Sequence, residues 1–269
     1  MEQVFTMNDG HVIPSVALGV YQSHEATEAA VLAALKNGYR HIDTAAIYGN
    51  EEAVGTAIRK SGIPRSEIFV TTKVWNTDIR AGRTREALMT SLKKLQMDYV
   101  DLLLLHWPTE GRIAAYKEME RMQKEGLVRS IGVSNFRKHH LEELMANTSV
   151  KPAADQMEFN PQFQDNEVLA FCRKENILLE AWSPLGRGAS LGDETIQKLG
   201  KKYGKSSAQI ILRWLNQKDI VVLPKSVHEN RIIENHAIFN FALSDEDMAV
   251  MDRLNRGTRI GPDPDHFSF

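Results

Sequence analysis

The feature that most constrains the fold is an alternation of short apolar runs with amphipathic stretches, repeated every 24 to 31 residues over most of the chain. Eight runs typical of strands begin near Ser15, Tyr39, Ile68, Tyr99, Val128, Ala153, Ile177 and Ile220. Strands that alternate with helices form parallel sheets, because each helix returns the chain to the edge where the next strand starts. Eight such units fit the roughly 250 residues of a (β/α)8 TIM barrel. We therefore predict an α/β fold with residues 1–269 as one barrel domain; a doubly wound open sheet is the alternative.

The segments between the apolar runs carry helical periodicity. The predicted helices are Glu25–Asn37, Glu51–Ser61, Thr84–Gln96, Ile113–Glu125, Arg137–Met145, Asp165–Glu175, Asp193–Tyr203, Ser206–Asn216, His228–Phe239 and Ser244–Leu254. Two of them precede the last strand and one follows the last unit, so extra helices are expected near the C-terminal end. Residues 4–13 alternate around the turn signal Asn8-Asp9-Gly10, which predicts a β-hairpin that closes the N-terminal bottom of the barrel.

Charge and composition exclude several classes of function. The net charge of −2 argues against nucleic acid or a membrane surface as the main partner. No apolar run approaches the ~18 residues of a membrane span. Cys172 is the only cysteine, so no internal disulfide is possible, which suits a reducing compartment. We expect a cytoplasmic protein, a monomer, that acts on a small molecule.

Ionisable side chains close several of the apolar runs. Asp43, Lys73, His106 and Lys225 each stand at or just past the end of a different run, as does the aromatic Trp182. Charges at the ends of buried strands are costly unless they meet and compensate each other. The C-terminal ends of barrel strands are also where such barrels place their active sites. The sequence therefore predicts an active site where these ends converge.

Four of these groups suit the reduction of a carbonyl to an alcohol, which needs a hydride at carbon and a proton at oxygen. Tyr48 can supply the proton, although a free tyrosine has a pKa of about 10. Lys73 is expected to lower that pKa, and Asp43 to keep Lys73 charged. His106 can hydrogen-bond the substrate oxygen or help to deliver the proton. Each residue alone has an ordinary structural explanation, and only the combination favours catalysis.

A set of short motifs runs in order along nearly the whole chain. They are Gly19-Val-Tyr21, Asp43-Thr-Ala-Ala-Ile-Tyr48-Gly-Asn-Glu51, Thr72-Lys73-Val-Trp75, Leu105-His106-Trp-Pro108, Ile131-Gly-Val-Ser-Asn-Phe136, Gln156, Ala181-Trp-Ser-Pro-Leu-Gly186 and Leu223-Pro-Lys-Ser226 with Arg231. Together they resemble the aldo-keto reductases, and among them the bacterial branch similar to 2,5-diketogluconate and glyoxal/methylglyoxal reductases. The resemblance implies an NADPH-dependent reductase of small aldehydes, ketones and α-dicarbonyls. It makes Tyr48 the general acid, with Lys73 and Asp43 tuning it and His106 orienting the carbonyl.

The resemblance also implies a cofactor site without a Rossmann domain. Its predicted residues are Gly19, Val20, Tyr21, Asp43, Ser134, Asn135, Gln156, Trp182, Ser183, Leu185, Lys225, Ser226, Val227, Arg231, Glu234 and Asn235. Trp182 offers a flat face to the nicotinamide ring, a position where the family more usually has tyrosine. Lys225, Ser226 and Arg231 suit a ribose 2′-phosphate, which favours NADPH over NADH.

The predicted substrate pocket is aromatic. Its residues are Tyr21, Tyr48, Trp75, His106 and Trp107, and the C-terminal residues 266–269 are expected to fold over its mouth. No metal site is predicted, because the chemistry needs none and adjacent residues such as His139 and His140 are expected to point apart on a helix.

Two other functions remain open on the sequence alone. One is a non-catalytic NADPH-binding barrel that reports redox state, since a fold does not by itself fix a function. The other is a metal-assisted hydrolase on the same barrel, which would require a bound metal.

Overall fold

Eight parallel strands form the centre of the molecule in a computed structural model that describes residues 3–269. They are β3 (Leu18–Gly19), β4 (His41–Asp43), β5 (Phe69–Val74), β6 (Val100–Leu105), β7 (Val128–Ser134), β8 (Ala154–Glu158), β9 (Leu178–Trp182) and β10 (Val221–Leu223). Each strand pairs with the next along the chain. The first and last are joined by bonds from Ala17 N to Val222 O (2.9 Å) and from Gly19 N to Pro224 O (3.1 Å). The sheet is therefore closed, which confirms the barrel and excludes the open sheet.

Helices surround the barrel. They are α1 (Thr27–Lys36), α2 (Glu51–Lys60), α3 (Asn76–Arg80), α4 (Thr84–Leu95), α5 (Arg112–Lys124), α6 (Lys138–Asn147), α7 (Asn166–Glu175), α8 (Glu194–Tyr203), α9 (Ser207–Gln217), α10 (Glu229–His236) and α11 (Asp245–Asp252). Ten correspond to predicted helices within three residues at either end. The eleventh, α3, was not predicted, because a helix of barely more than one turn carries no readable periodicity.

A two-stranded hairpin, β1 (Val4–Thr6) and β2 (Val12–Pro14), packs under the barrel. Ile13 is fully buried in a cluster with Phe69, Ala153 and Val221, residues at or next to the beginnings of three strands. The hairpin therefore covers the N-terminal end, as predicted, and leaves the C-terminal end for other elements.

The apolar run of β6 shows how the core divides into two layers. Leu102 and Leu104 belong to the cluster inside the barrel, whereas Leu103 and Leu105 belong to the larger cluster between the strands and the helices. Successive side chains of a strand point to opposite faces, so a strand covered on both faces must be apolar throughout. Each buried leucine contributes about 1.5–3 kcal/mol relative to an exposed one.

None of the helices within residues 3–269 combines the length and the apolar character that crossing a bilayer requires.

Candidate active site

The predicted site residues lie at the C-terminal end of the barrel, around a cavity of about 1080 Å³. Asp43 is the last residue of β4, Lys73 lies in β5, and His106 follows β6 directly. Tyr48 ends a short 3-10 helix, Ala46–Tyr48, that links β4 to α2. Because parallel strands all end at the same edge, residues far apart in the sequence meet here.

Lys73 and Asp43 form a buried ion pair. The Lys73 Nζ lies 2.7 Å and 2.9 Å from the two carboxylate oxygens of Asp43 and donates a third bond to Thr44 O at 2.9 Å. The two residues are 1% and 3% exposed. Burial lowers the pKa of Lys73, but the charge and hydrogen bond of Asp43, together with the nearby Tyr48 and Glu180, outweigh it, so the pKa lies above its ordinary value. The ammonium is therefore charged at neutral pH despite its burial.

Tyr48 lies beside this ion pair. The Lys73 Nζ is 5.1 Å from the centre of the Tyr48 ring, which also packs against Tyr21 at 5.0 Å between ring centres. Burial raises the pKa of Tyr48; the charge of Lys73 lowers it, but the net pKa lies above the ordinary 10.0. The expectation that Lys73 brings the pKa below that value is wrong for the protein alone. The contribution of Lys73 has the predicted sign, but removing the phenol from water outweighs it.

His106 is a neutral imidazole at physiological pH. Burial and the charge of Lys73 hold its pKa well below the ordinary 6.5. Its ring packs edge-on against Tyr48 and Trp75, at 5.8 Å and 5.0 Å between ring centres. Its Nδ1 is buried and finds no hydrogen-bond partner among residues 3–269. An imidazole in this state offers one N–H to a substrate oxygen without carrying a charge.

Gln156 connects the ion pair to a carboxyl group that sequence reasoning missed. Its Nε2 donates to Asp43 Oδ2 at 2.8 Å and to Glu180 Oε2 at 2.9 Å. Glu180 lies in β9 and is fully buried. Burial, assisted by the charge of Asp43, raises the pKa of Glu180 to about 7. The apolar neighbours of Glu180 in the sequence gave one signal, since a glutamate inside a buried strand needs a partner.

Asn135 and Trp182 are joined by a hydrogen bond from the indole Nε1 to Asn135 Oδ1 at 2.9 Å. The Asn135 Nδ2 in turn donates to His106 O at 3.0 Å and to Ser134 Oγ at 3.2 Å. The indole of Trp182 thus fixes a side chain that holds the backbone of His106. A tyrosine at position 182 would lack this indole donor.

Two predicted cofactor residues have left-handed backbone. Asn135 has a φ of 64° and Ser183 a φ of 48°, and each directly follows a barrel strand. Such conformations cost free energy in residues other than glycine and cluster at functional sites. The strained backbone at Asn135 and Ser183 therefore supports the prediction that these two turns belong to the cofactor site.

Most predicted cofactor residues line the cavity. Those that do are Gly19, Tyr21, Asp43, Ser134, Asn135, Gln156, Trp182, Ser183, Leu185, Lys225, Ser226, Arg231, Glu234 and Asn235. Val20 and Val227 do not line it, because their side chains pack into the hydrophobic core. The cavity also includes Arg187, Gly188, Leu191 and Asn230, which were not predicted. Arg187, Gly188 and Leu191 lie in the segment Gly186–Gly192 after β9, and Asn230 lies in the first turn of α10, so only the folded chain shows that they are near.

The predicted aromatic residues lie at one side of the same cavity, together with the C-terminal segment. Trp75 stacks on Phe269 at 5.7 Å between ring centres and a 7° interplanar angle. Trp107 contacts Phe267 and Phe269 at 5.1 Å and 5.2 Å. As expected, the C-terminal segment reaches the predicted substrate pocket, through Phe267 and Phe269.

The C-terminal segment is also held next to Trp182. Ile260 N and Gly261 N donate to the two carboxylate oxygens of Glu158 at 2.8 Å and 2.9 Å. A Cβ on Gly261 would lie 2.3 Å from Trp182 Cη2. The absence of a side chain at position 261 is what lets the segment pass over the indole.

His139 and His140 lie side by side, with ring centres 3.9 Å apart. The expectation that they point apart is wrong, because Asp265 draws both imidazoles together, with Nε2–Oδ1 distances of 3.2 Å and 3.6 Å. The ligand atoms of these three residues lie within 4.8 Å of one another, close enough for a metal ion. However, Arg137 N donates to His140 Nδ1 at 3.1 Å, which leaves the hydrogen of the neutral ring on Nε2, facing Asp265. These contacts with Asp265 are consistent with His139 and His140 anchoring the C-terminal segment to α6. The absence of a metal site stays a prediction.

The fold and this site together define a class of protein. A (β/α)8 barrel with a phenol, a buried ammonium–carboxylate pair and a neutral imidazole around one large cavity at its C-terminal end has the architecture of a TIM-barrel enzyme with a small-molecule site.

Comparisons with known proteins identify the family within this class. The sequence matches the profile of the Aldo/keto reductase family over residues 15–256. It is 46% identical over 273 residues to glyoxal reductase of Bacillus subtilis (strain 168), covering 100% of this chain and 99% of that protein. It is 45% identical over 270 residues to methylglyoxal reductase DkgA of Escherichia coli (strain K12), covering 98% of each. The solved structure of a Bombyx mori aldo-keto reductase in complex with NADP has a TM-score of 0.92 at 35% identity, covering 98% of this chain and 96% of that one.

The chain belongs to the Aldo/keto reductase family. The resemblance inferred from its motifs is therefore confirmed.

Proposed function

We propose that this protein reduces small aldehydes, ketones and α-dicarbonyls to alcohols with hydride from NADPH. The observation that carries the proposal is the buried Lys73–Asp43 pair beside Tyr48, at a cavity of about 1080 Å³. The relatives named as glyoxal and methylglyoxal reductases, and the neighbour solved with NADP, support the same substrate class and cofactor.

Tyr48 is proposed as the general acid. NADPH, when bound, would supply a hydride for the carbonyl carbon, and the carbonyl oxygen would need a proton. With its pKa above the ordinary value, the Tyr48 phenol is fully protonated at neutral pH. An alkoxide is a much stronger base than a phenolate, so the phenol gives up its proton readily once negative charge develops on that oxygen.

Lys73 and Asp43 then act on the phenolate that remains. The ammonium attracts the new negative charge at short range in a site of low dielectric, and Asp43 keeps Lys73 in place and protonated. His106, neutral and packed against Tyr48, donates an N–H to the carbonyl oxygen and fixes its direction. Two donors thus converge on the atom that gains charge.

The residues of the cavity fit NADPH. Gln156 presents its carbonyl oxygen, and Trp182 offers an indole face, where the nicotinamide is proposed to bind. Ser183 and Leu185 are assigned to the pyrophosphate. Lys225, Ser226 and Arg231 are assigned to the 2′-phosphate, and Glu234 and Asn235 to the adenine. Gly19, Val20 and Val227 then contribute through their backbone, which suits two valines whose side chains face the core.

The remaining properties follow from the same proposal. We infer that residues 1–269 act as one domain and that the protein is a cytoplasmic monomer. No membrane or nucleic acid is required for the reaction, and the net charge of −2 gives no basis for binding either.

The experiment is a turnover assay of the purified protein with a panel of carbonyls, including glyoxal and methylglyoxal, and with NADPH and NADH in separate arms. Loss of the absorbance of reduced nicotinamide should depend on the carbonyl and be faster with NADPH. Tight NADPH binding with no turnover on any carbonyl would instead favour the non-catalytic barrel. No binding of either nucleotide would contradict both.

A further inference from the structure

Gln156 lies between two buried carboxyl groups. Its Nε2 is 2.8 Å from Asp43 Oδ2 and 2.9 Å from Glu180 Oε2, and all three residues are at most 3% exposed. A primary amide has two N–H donors and one carbonyl acceptor. Both donors of Gln156 are therefore used inside the protein.

The carbonyl oxygen of Gln156 is left to face the cavity. Gln156 is among the residues that line it, and no protein donor within residues 3–269 is bonded to its Oε1. The neighbouring Ser134 hydroxyl gives its hydrogen to the backbone oxygen of Gln156 at 2.7 Å. This part of the cavity wall therefore presents acceptors, which complement a ligand group that donates N–H, such as a primary carboxamide.

We propose that Glu180 is a positioning residue for the nicotinamide carboxamide, acting by holding the Gln156 amide so that its oxygen faces the cofactor. The inference rests on the proposed function, because it assumes that a nicotinamide nucleotide occupies the cavity. Asp43 alone would secure only one N–H, so the second N–H would lack an acceptor and the Gln156 amide would be held less firmly.

Burying the carboxyl group of Glu180 costs free energy that an apolar residue at this position would not cost. Its Oε1 is buried with no hydrogen-bond partner in the described part of the chain. The ionisable groups that act on it are Asp43 and Lys73, and it acts in turn on Asp155 in the adjacent strand. An apolar side chain would fill the same space without the penalty of desolvating a carboxylate. Among residues 3–269, the one hydrogen-bond partner of the Glu180 side chain is the amide of Gln156.

Comparing the binding of two ligands distinguishes a role in positioning the carboxamide from a general effect of Glu180 on the fold. NADP⁺ carries the carboxamide, whereas 2′,5′-ADP carries the 2′-phosphate and adenosine without a nicotinamide. Binding of both is measured by calorimetry to the wild-type protein, Glu180→Met, Glu180→Gln and, as a matched control, Asp155→Asn. Asp155 is another buried carboxyl group, in the strand next to Glu180, and it accepts from Phe136 N rather than from Gln156.

Glu180→Met should weaken NADP⁺ binding by about tenfold, the value of one hydrogen bond to a charged group, and leave 2′,5′-ADP binding unchanged. Glu180→Gln keeps an acceptor for Gln156 but carries no charge, so it should restore only part of the loss. Asp155→Asn should leave the ratio of the two dissociation constants at the wild-type value. Equal weakening of both ligands by Glu180→Met, or no weakening of either, would overturn the proposal.

The pH dependence gives a second test that needs only the isosteric variant. Because Glu180 titrates near pH 7, its hold on Gln156 should weaken as the pH falls. The preference of the wild-type protein for NADP⁺ over 2′,5′-ADP should then increase between about pH 6 and pH 8. In Glu180→Gln the preference should be flat, and a parallel slope in both proteins would overturn the proposal. Failure of the wild-type protein to bind NADP⁺ at all would contradict the proposed function instead.

Discussion

At the scale of single residues, the site depends on charges that are kept inside the protein. Asp43 helps to keep the buried Lys73 charged, and the pair lies beside Tyr48. Removing one member of such a pair leaves the other charge buried and uncompensated, which is more damaging than replacing both.

We predict that Lys73→Met lowers the free energy of unfolding by about 3–5 kcal/mol, because Asp43 is left without its cation. The double variant Asp43→Asn, Lys73→Met should recover a large part of this loss. Urea unfolding followed by circular dichroism measures both. A Lys73→Met protein as stable as the wild type would show that the pair is not coupled as the distances indicate.

Glu180 makes stability depend on pH. Its pKa is about 7 in the folded protein against an ordinary 4.5. Between these values the unfolded chain releases the proton that the folded protein keeps, so the folded state loses stability as the pH rises. Above pH 7 the loss is complete, and it is on the order of 3 kcal/mol.

In Glu180→Gln the side chain does not titrate, so this dependence of stability on pH is absent. We therefore expect the variant to gain stability relative to the wild-type protein on going from about pH 5 to about pH 8, by up to that amount. Denaturant titrations at the two pH values measure the difference. A stability difference that is the same at both pH values would contradict the raised pKa.

At the scale of elements, the C-terminal segment crosses the ends of β8 and β9 and helps to fix the residues there. The C-terminal segment is bound through Ile260 and Gly261 to Glu158, the last residue of β8, and it passes directly over Trp182. The position of the indole is therefore set by two elements at once, β9 and the C-terminal segment.

Gly261→Ala tests this contact. A methyl group at position 261 would meet Trp182 Cη2 at 2.3 Å, so the indole or the segment must shift. We expect weaker NADP⁺ binding, by several-fold, because the proposed stacking face moves. Gly192→Ala is the control, since a Cβ there meets nothing within 4 Å. Unchanged NADP⁺ affinity in Gly261→Ala would contradict the inference that the C-terminal segment sets the position of an indole on which the nicotinamide stacks.

At the scale of the whole molecule, the barrel was predictable because the pattern of apolar residues along the chain directly predicts the alternation of strands and helices. The convergence of Asp43, Lys73 and His106 followed from that topology, since parallel strands end together. Contacts that depend on side-chain geometry did not follow. The sequence does not show that Glu180 meets Gln156, or that Asp265 draws two adjacent histidines together.

The net pKa of Tyr48 was also beyond the sequence. The sign of the effect of Lys73 follows from its charge, but the opposing effect of burial depends on how much protein surrounds the phenol. The barrel therefore holds Tyr48 as a protonated phenol with a cation beside it, rather than as a phenol with a lowered pKa.

The measurement that tests this account most directly is the turnover of Tyr48→Phe with saturating NADPH and methylglyoxal, alongside its affinity for NADPH. The phenylalanine ring keeps the packing against Tyr21 and His106 but has no proton to give. We predict that turnover falls by at least about 100-fold while the NADPH dissociation constant stays within about twofold of the wild type. Full turnover by Tyr48→Phe would contradict the assignment of Tyr48 as the acid.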